Sequence, residues 1–129
     1  MRRFFFPTAD ATIYEEFPNR QTGLDEILEV GNSEHGQYRI RSLVKFDATA
    51  ISASLAAGTI SPASSFDLKL FVAKADRLLV GQAIEAYPVS QSWSEGQGYF
   101  YQELVEESQG TTWHYRSTGS LWTDRKSVV

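Results

Sequence analysis

Residues 38–47 carry the clearest alternation in the chain: Tyr38, Ile40, Val44 and Phe46 fall on one face at period two, and Arg39, Arg41 and Lys45 fall on the other. Period two is the signature of a strand with one face buried, so this segment is expected to turn Tyr38, Ile40, Val44 and Phe46 inward and its three cations outward. Residues 66–73 repeat the pattern, with Leu68, Leu70 and Val72 sharing a face. Shorter apolar runs at residues 11–14 and 27–30 read as strands separated by the turn-forming sequence Pro18-Asn19-Arg20-Gln21-Thr22-Gly23. Residues 31–36 read as a connecting loop. Residues 84–89 form a further extended run in which Pro88 cannot donate to a ladder, which places it at a strand end or sheet edge. Residues 111–115 are the last strand candidate. Only residues 49–57 have a helical composition, with Gly58 standing where a C-terminal cap falls.

Strand candidates at intervals of roughly 10 to 20 residues, with no long amphipathic helix between them, predict an all-β chain, an antiparallel β-sandwich or jelly roll. The 129 residues are the length of one ordinary domain, and no repeat or low-complexity linker divides them. Residues 1–7 read as a first strand or docking arm, and residues 123–129 as a polar tail.

Composition strengthens this picture. Eight Phe, six Tyr and three Trp against a single Met favour a pleated, half-buried surface. Cysteine is absent, so disulfides and thiol chemistry are excluded. The net charge of −4 provides no positive field to gather nucleic acid or an anionic membrane. Phe4, Phe5 and Phe6 are stopped by Pro7, too short a run for the ~7 to 15 apolar residues of a signal peptide. No stretch reaches the ~18 apolar residues of a membrane span.

Catalytic chemistry finds little support. There is no phosphate-binding loop and no nucleophile elbow, and His35 and His114 have no partner at metal-ligand spacing. The carboxylates Glu15, Glu16, Asp25, Glu26, Glu95, Glu103, Glu106 and Glu107 read as solvated surface, although a facing pair could cleave a glycosidic bond. Neither a catalytic residue nor a cofactor or metal is expected. Aromatic clustering is more informative. Trp93-Ser94-Glu95-Gly96-Gln97-Gly98-Tyr99-Phe100-Tyr101, Trp113-His114-Tyr115 and Trp122 place many rings near turns, where exposed rings stack on sugars or anchor interfaces. Trp93 and Trp113 are expected in the core, and Tyr99, Tyr101 and Trp122 are the candidates for stacking on a glycan.

The ordered series Ala9-Asp10-Ala11-Thr12-Ile13-Tyr14, Pro18-Asn19, Val30-Gly31-Asn32-Ser33, Leu43-Val44-Lys45-Phe46-Asp47, Leu68-Lys69-Leu70-Phe71-Val72, Trp93-Ser94-Glu95-Gly96 and Thr112-Trp113 resembles the DNRLRE family of β-sandwich domains. That resemblance implies a jelly-roll-like domain of extracellular and cell-surface proteins, some members being carbohydrate-binding modules. The run from Tyr87 to Trp93, Gly98-Tyr99-Phe100 and the ending from Trp113 to Trp122 are similar to virion structural proteins of tailed bacteriophages, especially marine and cyanobacterial ones. This similarity implies a non-enzymatic structural protein of the tail, neck, baseplate or capsid surface, assembled in the host cytoplasm and residing in the virion. Its partners would be other virion proteins or further copies of itself, docked through Phe4, Phe5 and Phe6 or through Leu78, Leu79 and Val80. The alternative implied is a carbohydrate-binding module whose partner is a glycan.

Overall fold

The structure, a computed structural model, describes residues 2–33, 36–76, 81, 83–101, 110–117 and 119–123. The expected residues Leu78, Leu79, Val80, Glu103, Glu106, Glu107 and His35 and most of the polar tail lie outside them. The described chain is all-β in character, with five strands and one short helix. Strands β1 (Ala9–Tyr14), β2 (Gly31–Asn32) and β3 (Arg39–Lys45) form an antiparallel sheet in the order β1-β3-β2. Strands β4 (Tyr115–Ser117) and β5 (Ser120–Leu121) form a separate hairpin. Among the described residues no helix is long and apolar enough to cross a membrane.

Register decides which face of the sheet is the core. Ala9 pairs with Lys45, Ala11 with Leu43 and Ile13 with Arg41, so these six side chains share one face. Ala11, Ile13 and Leu43 are buried there against Trp93 and Trp122, with Ala9 and Trp113 at the margin. The inward face of β3 is therefore the one bearing Arg39, Arg41, Leu43 and Lys45, the reverse of what its hydrophobic alternation predicts. Indole rings are the reason. Arg39 and Arg41 lie over Trp113, at 5.6 and 5.2 Å from the ring centroid, and Lys45 lies 5.1 Å over Trp93. The cations meet the rings, which makes a nominally polar face compatible with half-burial of Arg41, while Arg39 and Lys45 stay exposed at its ends. Ile40 and Val44 are only half-buried on the opposite face, and Tyr38 is exposed.

The outer edge of β1 is closed by a side chain. Thr22, fully buried, accepts from the Thr12 amide at 2.9 Å and donates to the Thr12 carbonyl at 2.6 Å. One hydroxyl thus supplies both bonds a neighbouring strand would have made, leaving no unpaired ladder group at that point. Thr12 Oγ1 in turn accepts from the Glu29 amide, and Ser42 Oγ donates to the Glu29 carbonyl. Residues 27–30 are held to the sheet through these bonds rather than as the expected strand. The pairing belongs to Gly31 and Asn32 instead, and the expected loop beyond them closes a hairpin through Ser33 N–H to Tyr38 O.

The Lys45-Phe46-Asp47 motif ends the strand and starts the helix. Lys45 Nζ donates to the Trp93 carbonyl at 3.2 Å. Asp47 is the N-cap of α1 (Ala48–Ala56), its carboxylate accepting from the amides of Thr49 and Ala50. Gly58 follows at φ 74°, a left-handed position suited to glycine, so the helix and its stop agree with the sequence reading. Residues 66–73 do not. They form no ladder among the described residues, and Phe66, Leu68, Leu70, Phe71 and Val72 are exposed, as are Ile84 and Tyr87 further on.

Candidate functional site

Glycines bring the site's segments together. A Cβ at Gly23 would stand 1.9 Å from the carbonyl oxygen of Glu95, and one at Gly98 would stand 2.6 Å from Gln21. Gly110 is equally tight, 2.7 Å from that same Glu95 oxygen, while its amide donates to Gln21 Oε1 at 2.9 Å. Leu24 N–H donates to Gly98 O and Thr111 N–H to Ser94 O, each under 3 Å. The loop after β1 is thereby clamped to the Trp93-Ser94-Glu95-Gly96 turn, where Gly96 sits at φ 73°. Tyr99, Phe100 and Tyr101 continue directly from this clamp.

Phe100 is the hinge of the cluster that results. Its ring packs against Tyr14 at 4.8 Å and edge-on to Phe17 at 5.5 Å. The guanidinium of Arg20 lies over both phenylalanine rings, 5.0 Å from Phe17 and 4.8 Å from Phe100, and its Nη1 donates to the Phe100 carbonyl. The Asp25 carboxylate accepts from the Phe100 amide. Both backbone polar groups of Phe100 are thus fixed by charged side chains, which sets the direction of the residues on either side. Those residues are Tyr99 and Tyr101, whose rings stack at 5.2 Å and 30°. Tyr101 is 74% exposed, and Phe17 also reaches the surface. Underneath, burial pushes the Tyr14 hydroxyl far above its ordinary range, with Glu29 and then Asp25 adding to the effect. Tyr14 is accordingly a neutral hydrogen-bonding floor.

The assembled surface is an aromatic platform with a fixed cation. Tyr101 offers a flat, hydrated ring face. Planar rings of this kind cover the apolar C–H face of a sugar, while neighbouring polar groups take its hydroxyls. Of the three stacking candidates, the structure brings Tyr99 and Tyr101 together and separates Trp122. Trp122 is 5% exposed, sits in the core with Trp93, and its Nε1–H donates to the Thr112 carbonyl at 3.0 Å. It has no free ring face to offer, which corrects the reading of it as a stacking residue. Trp93 is in the core and Trp113 half-buried at its margin, as their aromatic size implied. Phe17 and Arg20 were not singled out by sequence; the only signal was an aromatic and a cation flanking the Pro18-Asn19 turn.

The remaining candidates have other roles. Phe4 and Phe6 are exposed on an extended arm that joins the sheet at Thr8, whose amide donates to Lys45 O; Phe5 is half-buried. Glu15 clasps Arg39 with both carboxylate oxygens, at 3.0 and 3.3 Å, and also accepts the Arg39 amide. The Arg39 side chain holds the Glu15 carboxyl below its ordinary range, and Glu15 raises Arg39 in turn. Arg41 next to it is lowered by burial first and by Arg39 second. A groove of about 440 Å³ lies where the end of β3 faces residues 87–93, but its cation, Lys45, is already bonded to Trp93. No group of three or more metal-ligating side chains is assembled among the described residues. Residues 2–114, a span that includes the whole platform, match the model of carbohydrate-binding module family 96. No curated protein and no solved structure matches the chain.

Proposed function

The chain belongs to carbohydrate-binding module family 96, and on that premise we propose that it is a non-catalytic sugar-binding domain whose contact surface is the Tyr99–Tyr101 platform. The observation that carries the reading is the stacked tyrosine pair, with Tyr101 facing solvent and Tyr99 half-buried behind it, held by Arg20 and Asp25 through Phe100. A binding module needs a rigid surface rather than a reactive one, since affinity for a flexible polymer depends on what is not lost in ordering the protein. Arg20 is fixed by two rings and a carbonyl before any ligand arrives, so its remaining N–H groups are pre-aimed. Burial of a sugar face against Tyr101, together with hydroxyl bonds to Arg20, is the mode of recognition.

The same reading takes the two strand groups as the layers of a β-sandwich. The β1-β3-β2 sheet is one layer. The β4-β5 hairpin, extended by Ser94, whose amide donates to the Arg116 carbonyl, is the other, with Trp93, Trp113 and Trp122 between them. The exposed apolar side chains between Phe66 and Val72, with Ile84 and Tyr87, favour protein contacts beside sugar binding. Assignment to a phage particle rests on the sequence resemblance alone.

Isothermal titration calorimetry against alginate, chitin and glucan oligosaccharides tests the function. Saturable heat with at least one of them is expected, with Kd in the micromolar to millimolar range, on the order of −4 to −8 kcal/mol. Flat titrations with all three classes would remove the sugar-binding reading.

A further inference from the structure

Residues 66–72 carry a period-two apolar pattern, are exposed, and have no ladder partner among the described residues. Phe66, Leu68, Leu70 and Val72 alternate with Ser65, Asp67, Lys69 and Phe71, and Phe71 is 90% exposed. No described backbone hydrogen bond involves residues 66–73, and neither strand group includes them. A strand of this composition left open in water is a template for another strand. Its own sequence identifies which one.

We propose that this segment pairs with the same segment of a second copy of the chain, as an antiparallel ribbon about a two-fold axis at Leu68. Register is the argument. Centred on Leu68, the pairing sets Asp67 of each copy opposite Lys69 of the other, and Phe66 opposite Leu70. One face of the ribbon then carries Phe66, Leu68 and Leu70 from both copies, and the other carries two cross-strand ion pairs. Centring on Lys69 would oppose the two lysines, and centring on Asp67 would oppose the two aspartates. A shift by an odd number of pair steps would mix charged and apolar side chains on both faces. Only the Leu68-centred register sets Asp67 and Lys69 opposite each other in both directions, which is the self-complementarity an isologous interface requires. Pairing also covers apolar groups that the monomer leaves in water. The Lys74–Asp76 ion pair at 3.4 Å lies beyond the ribbon and does not compete for its charges.

Sedimentation equilibrium of the full chain, from about 1 to 200 µM, tests the proposal. The natural sequence is expected to dimerise, Lys69→Asp to shift the dissociation constant at least tenfold toward monomer, and the exchanged pair Asp67→Lys with Lys69→Asp to restore the dimer. Because the chain has no cysteine, Leu68→Cys places a single thiol on the two-fold axis, and mild oxidation is expected to give a covalent dimer. A monomer throughout the concentration range overturns the proposal. So does an exchanged variant that stays as weak as Lys69→Asp, because the self-complementary register would then not be the one in use. Failure of Leu68→Cys to crosslink in a dimer that does form also overturns it, by assigning the interface elsewhere.

Discussion

Replacing Trp122 with alanine is expected to cost about 3–5 kcal/mol, the range for removing a buried aromatic from a close-packed core. That is a large share of the roughly 5–15 kcal/mol that holds a typical domain together. Two separate losses contribute. The indole fills space against Ala11, Ile13 and Leu43, and its Nε1–H satisfies the Thr112 carbonyl. Trp122→Phe removes only the second and part of the first, so about 1–3 kcal/mol is expected for it. Thermal melts followed by circular dichroism check both values. Trp122→Phe, folded at room temperature, is expected to bind glycan like the natural chain. An undisturbed melting temperature combined with lost sugar binding would instead return Trp122 to the ligand surface.

Gly23→Ala is expected to be the most damaging small substitution. The added methyl carbon would lie 1.9 Å from the Glu95 oxygen and 2.6 Å from its carbonyl carbon. Both are backbone atoms, so no side-chain rotation relieves the overlap. Either the loop after β1 or the turn at Glu95 and Gly96 must move, which breaks the bond from Leu24 N–H to Gly98 O. Overpacking of this kind costs about 1–3 kcal/mol where a core can adjust, and this site falls at or above the upper end. Gly36→Ala is the comparison. Gly36 has φ 68° and open space around it, so alanine there meets conformational strain of about 1–2 kcal/mol and no collision. Denaturant unfolding should rank Gly23→Ala well below Gly36→Ala. Equal midpoints would mean that the loops do not approach as closely as described. Gly23→Ala should also weaken sugar binding, because the clamp leads directly into Tyr99.

The sequence revealed β1, β3 and the helix more readily than the direction in which the strands face. Ala11-Thr12-Ile13-Tyr14 was legible because buried small and apolar residues in that run admit few alternatives. Asp47 and Gly58 marked the helix through capping chemistry, which is local. The orientation of β3 was not local. Period two fixes that its residues alternate, and hydrophobicity then favours Ile40, Val44 and Phe46 inside. Two tryptophans distant in sequence, Trp93 and Trp113, reverse the choice by offering ring faces to Arg39, Arg41 and Lys45, and only the Ala11–Leu43 register displays that preference. Leu43 was the one hint, an apolar residue out of phase with its neighbours.

For the site, Tyr99 and Tyr101 were legible as rings beside Gly96 and Gly98, where a turn brings the next side chains to the surface. Trp122 was misplaced because nothing in its own neighbourhood states that a core lies behind it. Phe17 and Arg20 joined the platform through an approach of 80 residues in sequence, from Arg20 to Phe100. Contacts at such separation arise from the glycine clamp, and its tightness is a property of the folded backbone. The strand pattern in residues 66–73 was real as a pattern, but the described chain supplies no neighbour for it.

The most direct test of sugar recognition through the tyrosine pair is calorimetric titration of the double variant Tyr99→Ala with Tyr101→Ala beside the natural chain, using whichever oligosaccharide class binds. Both rings lie outside the core, so the double variant is expected to keep its melting temperature within a few degrees and to lose at least tenfold in affinity, about 1.4 kcal/mol or more. Unchanged affinity in a folded double variant would contradict the assignment of the platform as the binding surface.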